Sequence, residues 1–301
     1  KVLKRHTNGV WALEFFPDGR RLVSAGDHSL IIWDVTFQGA EKKLTGHTDT
    51  VVSIAMAPNG SVFASGSEDG TLRVWDGTTG GQVGEPISVH TLGYHGGVWG
   101  VSFSPEGQRV AAACEGRVMI WDVQTRALIT GPLQTSGQVF RATTTFSPDG
   151  SRIAANGADG TVRVWDSVSG EVIFDSSKGH TDHVRWTGFT PDGRQLVTAS
   201  RDKTICRWDM QSGALIGTPL TGHLSHICGG VISRDGKSLA TASLDLTVRF
   251  WDLKTGKQKS HYLLHQAAIW CVALSHDSSL LATGGWNSNI HLYDMKAIEA
   301  G

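Results

Sequence analysis

Cysteine is scarce in this chain: Cys114, Cys206, Cys228 and Cys271 are the only four, they lie far apart, and no two make a CxxC pair. That pattern excludes a sequence-readable zinc site and a disulfide framework, and it predicts a reducing intracellular setting, the cytoplasm first and the nucleus as well. Proline is scarce too, 8 residues against 37 glycines, so the chain is rich in turns without Pro-rich linkers. An excess of one charge is missing: 27 Lys and Arg stand against 28 Asp and Glu, which removes the electrostatic reason to expect nucleic acid. No run approaches the ~18 apolar residues of a membrane span and no signal peptide is present, so no membrane partner is expected. Phosphate loops and dinucleotide fingerprints are absent, and Gly80-Gly81 and Gly96-Gly97 read as turns, so no cofactor is expected. The sequence opens on Lys1 rather than Met, which fits a domain of a longer chain, monomeric by itself.

What is present is repetition. Residues 62 to 80, VFASGSEDGTLRVWDGTTG, read as two short strands around Asp69-Gly70, a dipeptide favoured in tight hairpins because glycine accepts positive φ. Leu72, Val74 and Trp75 suit a pleated, buried surface, and Asp76 to Gly80 is polar and glycine-rich, the mark of a second turn. Trp-Asp recurs at 33, 75, 121, 165, 208 and 251, with Tyr293-Asp294 as a variant, at intervals of 42, 46, 44, 43, 43 and 42 residues. An earlier hairpin recurs as well: Pro17-Asp18-Gly19, Pro58-Asn59-Gly60, Pro105-Glu106-Gly107, Pro148-Asp149-Gly150, Pro191-Asp192-Gly193, Arg234-Asp235-Gly236 and the degraded His276-Asp277-Ser278. Four short strands per ~43 residues, with no helical period, predict an all-β, closed, seven-bladed propeller of four antiparallel strands per blade over residues 1–301.

These marks carry a resemblance over essentially the whole chain. Gly46-His47, Gly179-His180 and Gly222-His223 ahead of the inner strand, the Asp of the second hairpin and the closing Trp-Asp resemble the WD-repeat, β-transducin-like family. A weaker, compositional likeness links Gly84-Glu-Pro-Ile87, Thr130-Gly-Pro-Leu133 and Gly217-Thr-Pro-Leu220 to outer strands in the propeller sensor domains of fungal NACHT-type receptors. The segment after Tyr293-Asp294 is too short and too helix-like for an outer strand, whereas Lys1 to Arg5 ahead of His6 aligns with Lys42 to Gly46 ahead of His47. Residues 1 to 5 are therefore predicted to complete the last blade, so that the two ends close the ring and remove an exposed sheet edge.

The repeated polar residues invite a catalytic reading that their repetition opposes. His47, Ser65, Asp69 and Trp75 recur as His180, Thr198, Asp202 and Trp208, and as His223, Thr241, Asp245 and Trp251. An indole N–H only donates, a carboxylate only accepts, and a hydroxyl and a neutral imidazole do both, so the four types can form one satisfied chain. The resemblance implies the same role, tying the strands of a blade together, and a catalytic constellation is single rather than threefold. Four units depart from the set. Ser24 lies one residue closer to Asp27, which leaves the network of His6 and Trp33 re-formed or incomplete. The third unit has Ala111, a shifted His95 and Glu115; the fourth has Ala155, with Asp159, Trp165 and Gln138 near the place of His; the seventh has His265, Thr283, Asn287 and Tyr293. Blades three and four are predicted to be the least rigid. His180-Thr-Asp-His183 and His223-Leu-Ser-His226 have HxxH spacing, but on strands and loops it does not converge as on a helix, so no metal site is expected.

Function in a propeller is expected on loops and rims. The resemblance implies that partners meet the narrow face three and five residues after the His and one residue before the hairpin Asp. Those positions are Gly9, Trp11 and Gly26; Thr50, Val52 and Glu68; His183, Arg185 and Arg201; His226, Cys228 and Leu244; and Ala268, Trp270 and Trp286, with Trp99, Cys114, Phe140 and Ala158 in blades three and four. Trp11, Trp99, Trp270 and Trp286 fall on this set, and Trp and Arg are hot-spot types. The expectation is a non-enzymatic scaffold or sensor that binds a protein or peptide through an aromatic patch across blades seven and one, with a basic arc of His183, Arg185 and Arg201 near the opposite side and with Trp99 and His226 also among the partner-binding residues. The plainer reading is that some tryptophans line or plug the channel; Trp186, at a position where Ala12, Ser53, Gly100 and Cys271 are small, reads that way. The alternative function is an enzyme or small-molecule receptor using the channel, which calls for a single unrepeated polar cluster at one mouth.

Overall fold

A computed structural model describes residues 1–36, 39–136, 143–157, 159–176 and 179–300. Seven small antiparallel sheets form from strands consecutive in the chain, six of them four-stranded and one three-stranded among the described residues. In blade one these are Val10–Phe15, Arg21–Gly26, Ser29–Asp34 and Gly39–Thr45. The inner strands touch in sequence, and the last of them, Ile269–Leu274, returns to Val10–Phe15, so the sheets close into a ring. The fourth strand of blade seven is the N-terminal Val2–Lys4, paired antiparallel with Asn289–Asp294 in the register Leu3 to Ile290. The segment after Asp294 is the short helix Met295–Ala300.

The core is divided into seven layers, each shared by two neighbouring blades. Between blades one and two, for example, Val23, Leu30, Phe63 and Trp75 are all buried. Between blades seven and one, Leu3, Val10, Trp33, Cys271 and Ile290 do the same. A lone unit would leave both faces of its sheet exposed to water, which is why the repeat folds only as a ring.

The recurrent dipeptides have separate physical roles. Each Asp of Trp-Asp folds the turn that follows: Asp76 Oδ1 accepts from the N–H groups of Thr78 and Thr79 at 3.0 and 2.6 Å, and Asp209 does so from Gln211 and Ser212 at 3.0 and 2.8 Å. The Pro-Asp-Gly hairpins need positive φ at the third residue, +67° at Gly19 and +72° at Gly150. In blade seven Ser278 takes that conformation at +58°, a strained choice for a residue with a Cβ.

Blade five departs from the expected four strands. Its outer segment is reduced to two isolated bridges, Ile205 with Leu220 and Trp208 with Leu215. Pro219 lies in that segment and has no N–H to donate, and prolines in sheets are confined to such edges. The outer strand of blade two, which follows Pro86, is only Ile87–Ser88.

Candidate functional site

The hydrogen-bonded chains come first, because they decide which polar residues are spent on the scaffold. In blade two the Trp75 indole donates to Ser65 Oγ at 2.9 Å, Ser65 lies 2.7 Å from His47 Nε2, and His47 Nδ1 lies 2.8 Å from Asp69. The directions are set by the two ends: indole N–H to hydroxyl, hydroxyl to Nε2, Nδ1–H to carboxylate. Blade five repeats the chain with Trp208, Thr198, His180 and Asp202 at 3.0, 2.8 and 2.9 Å. Blade six repeats it with Trp251, Thr241, His223 and Asp245 at 2.8 Å in every link. Burial alone would raise the three carboxyls, but the hydrogen bond from each histidine, followed by that of Thr71, Thr204 or Thr247, holds them well below the ordinary carboxylate range. Ser65, Thr198 and Thr241 are completely buried, so no substrate reaches these hydroxyls.

The other blades break the chain at different links. In blade one the hairpin between Gly26 and Ser29 is a residue shorter, Asp27 adopts φ +51°, and its carboxylate stops 3.7 Å from His6 Nδ1. His6 still meets Ser24 at 2.7 Å, and Ser24 accepts from Trp33 at 2.7 Å. In blade seven His265 meets Thr283 at 2.9 Å and the Tyr293 hydroxyl at 3.1 Å. Without a carboxylate on Nδ1, burial and then the neighbouring His291 push the His265 imidazole down to about 4. Ala111 and Ala155 stand buried where a hydroxyl would sit. In blade three Glu115 accepts from the backbone N–H of His95 at 3.1 Å, and in blade four Ser136 binds Asp159 at 2.5 Å. Gln138, Phe140 and Ala158 lie outside the described residues.

A second recurrent feature builds the mouth of the channel. Each inner strand of blades one, two, five, six and seven carries a register shift near its start, as between Val10 and Ala12 or Ile269 and Cys271. The skipped residues are Trp11, Val52, Arg185, Cys228 and Trp270. A bulged residue is released from strand pairing and its side chain is re-aimed. All five, together with Trp99, line a cavity of about 220 Å³ with Trp186 deeper inside. The residue before each hairpin Asp is brought beside them by a backbone bond: Arg201 N–H to His183 O at 2.9 Å and Trp286 N–H to Ala268 O at 3.1 Å.

Three tryptophans meet there. Ring centroids lie 5.1 Å apart for Trp11 and Trp270, 5.8 Å for Trp11 and Trp286, and 6.0 Å for Trp270 and Trp286. Tilted and edge-to-face pairs at this spacing are favourable. Trp286 is nevertheless 56% exposed. Of the basic residues, Arg185 lines the same cavity as Trp11, Trp99 and Trp270. Around it, burial and then the charges of Arg201, Arg185 and Lys203, against Asp182, hold His226 below the ordinary imidazole range.

Two channel residues were not singled out as a pair by sequence. Glu14 lines the cavity beside Trp186, and only alignment of the inner strands would have marked it: its counterparts are Ala55, Ser102, Thr145, Gly188, Val231 and Ala273. Trp186 finds room because its neighbours are glycines: a Cβ on Gly188 or Gly230 would lie 2.7 or 2.8 Å from its ring. Among the described residues no group of three or more His, Cys, Asp or Glu could hold a metal ion, and no helix is long and apolar enough to cross a membrane.

A closed ring of seven antiparallel sheets, locked internally in some blades and presenting bulged side chains at one mouth, defines the class: a seven-bladed β-propeller. The chain belongs to the family described as WD domain, G-beta repeat, which matches seven times, over residues 1–34, 40–76, 86–122, 128–166, 173–209, 213–252 and 256–294. Similar proteins include small ribosomal subunit protein RACK1y of rice, Oryza sativa subsp. japonica, 34% identical over 174 residues, covering 55% of this chain and 49% of that protein. The guanine nucleotide-binding protein subunit beta of the same plant is 29% identical over 199 residues, 61% of this chain and 51% of that protein. WD repeat-containing protein VIP3 of Arabidopsis thaliana is 30% identical over 198 residues, 60% of each. The chain thus spans about half the length of the first curated relatives it matches.

Proposed function

We propose that this chain is a non-enzymatic interaction scaffold that binds a protein or peptide across the narrow face, with Trp11, Trp270 and Trp286 as its anchor. The observation that carries the reading is the convergence of three indoles from two neighbouring blades at 5.1 to 6.0 Å, with Trp286 largely exposed. Binding energy in interfaces concentrates in such aromatic clusters, and Arg185, Arg201, His183 and His226 supply the adjoining polar and basic contacts, with Trp99 across the mouth. The names of two relatives, a ribosomal subunit protein and a G-protein subunit, denote components of larger assemblies, which supports a partner of the protein class. Binding is read without nucleic acid or membrane, by a monomeric domain inside the cell, where cysteines that form no disulfide stay reduced.

Replacing Trp270 and Trp286 together by Ala is expected to abolish capture of the partners that the intact chain retains, while the melt changes little. Partners retained equally by both proteins would overturn this reading.

A further inference from the structure

The channel has a waist. One cavity of about 220 Å³ opens from the mouth bearing Trp11 and Trp270, and another of about 380 Å³ opens from the side of the Pro105 and Pro148 hairpins. The residues common to both linings are Glu14, Trp186 and Gly230. Glu14 lies three residues along its strand from Trp11, roughly 10 Å deeper at the ~3.3 Å rise of a strand. Among the described residues nothing donates a hydrogen bond or an ion pair to its carboxyl, and no other inner strand has a charged residue at that level.

A carboxyl placed this way has no structural use. It is not part of a blade lock, and it caps no turn. Partial withdrawal from water pushes it up from the ordinary range to about 7, because desolvating a charge is unfavourable unless something pairs with it. The groups that face the same cavity do not neutralise it. Arg185 stands at the bulge level of the mouth, Cys228 beside it, and burial raises the Cys271 thiol so that it stays neutral. The remaining walls are aliphatic and hydroxyl side chains together with the indoles of Trp11, Trp99, Trp186 and Trp270, whose faces attract cations and repel anions. A hard metal ion would require six or more oxygen ligands, which one carboxyl and the Ser53 and Thr143 hydroxyls do not supply.

We propose that the waist of the channel is a binding site for a compact organic cation, an ammonium group on an unbranched chain, paired with the Glu14 carboxylate against the indole of Trp186, with Trp11 and Trp270 at the mouth above it. The chain bearing the ammonium leaves through the tryptophan-lined mouth, and the flat Trp186 ring closes one wall because Gly188 and Gly230 leave space for it. Glu14 is unrepeated among the inner strands at its level, and the proposal goes beyond the rim reading because no protein partner is needed to observe it.

The test uses the full chain with n-butylammonium and tetramethylammonium as probes and n-butanol as the uncharged control, followed by calorimetry and tryptophan fluorescence. Both cations are expected to bind at least tenfold more tightly than n-butanol. Glu14→Gln, which keeps the size and removes the charge, is expected to weaken them about tenfold, or ~1.4 kcal/mol. In the unaltered chain cation affinity is expected to rise with pH through about 7 as Glu14 ionises, so the site is tested even if the variant folds poorly. Cations bound no better than n-butanol, equal binding to Glu14→Gln, or a pH-independent affinity would each overturn the proposal. Any of these results leaves the rim reading to its own experiment.

Discussion

Blades five and six and blades three and four share the plan of their three inner strands and have different interiors. In the first pair an indole, a hydroxyl, an imidazole and a carboxylate run in one unbroken chain. In the second pair Ala111 and Ala155 remove the hydroxyl that would join the ends. Both pairs nonetheless bury their apolar faces against their neighbours. The comparison teaches that burial between blades forms the ring and that the polar locks are an addition, placed in some blades and left out of others. Where a blade lacks a lock, its stability rests on its neighbours.

The largest effect should come from breaking the ring itself, which both kinds of blade depend on. Deleting residues 1 to 5 removes the Val2–Lys4 strand and the buried Leu3 and exposes a sheet edge. A loss of about 4 kcal/mol or more is expected from one core side chain and several strand hydrogen bonds. Calorimetry should show a sharply lower melting temperature, and an unchanged melt would refute closure by the N-terminal strand.

A single lock should matter less. Thr198→Val keeps the volume and removes the hydroxyl that joins Trp208 to His180, leaving two buried groups unpaired, for an expected loss of about 1–3 kcal/mol in denaturant unfolding. The change Ala155→Val in unlocked blade four should disturb packing alone. If Thr198→Val costs nothing, the locks do not stabilise the blades and the comparison fails.

The smallest effect is also the most local. At neutral pH, amides of blades three and four should exchange with solvent faster than those of blades five and six. The carboxyls of Asp69, Asp202 and Asp245 are held low in the folded state, so each contributes stability above the unfolded carboxylate value of ~3.9. That contribution is lost as pH falls below that value toward the folded one. Acidification should therefore narrow the difference between the two pairs of blades. Equal protection at every pH would count against the locks as the source of the contrast.

Much of this was legible in residues that act locally. A Pro-Asp-Gly hairpin or the Asp of Trp-Asp shapes its own turn through neighbours two or three positions away, so repetition of these marks revealed seven units, and the offset of residues 1 to 5 revealed how the ring closes. The contacts that form across the ring were less legible. Arg185 and Trp270 are separated by 85 residues yet line one cavity, a shared lining that strand alternation along the chain does not reveal. Pro219 was read as part of an outer strand that its missing N–H reduces to isolated bridges.

Sequence by itself determined the number of blades, their strand order and which histidines, hydroxyls and carboxylates stand at lock positions, because turns and strand alternation are decided over a few residues. Only the tertiary structure decided that Trp11, Trp270 and Trp286 touch, that Trp186 lies against Gly230, and that Glu14 stands at the waist without a partner among the described residues. Those facts depend on how seven inner strands converge on one axis, where side chains distant along the chain compete for the same small volume.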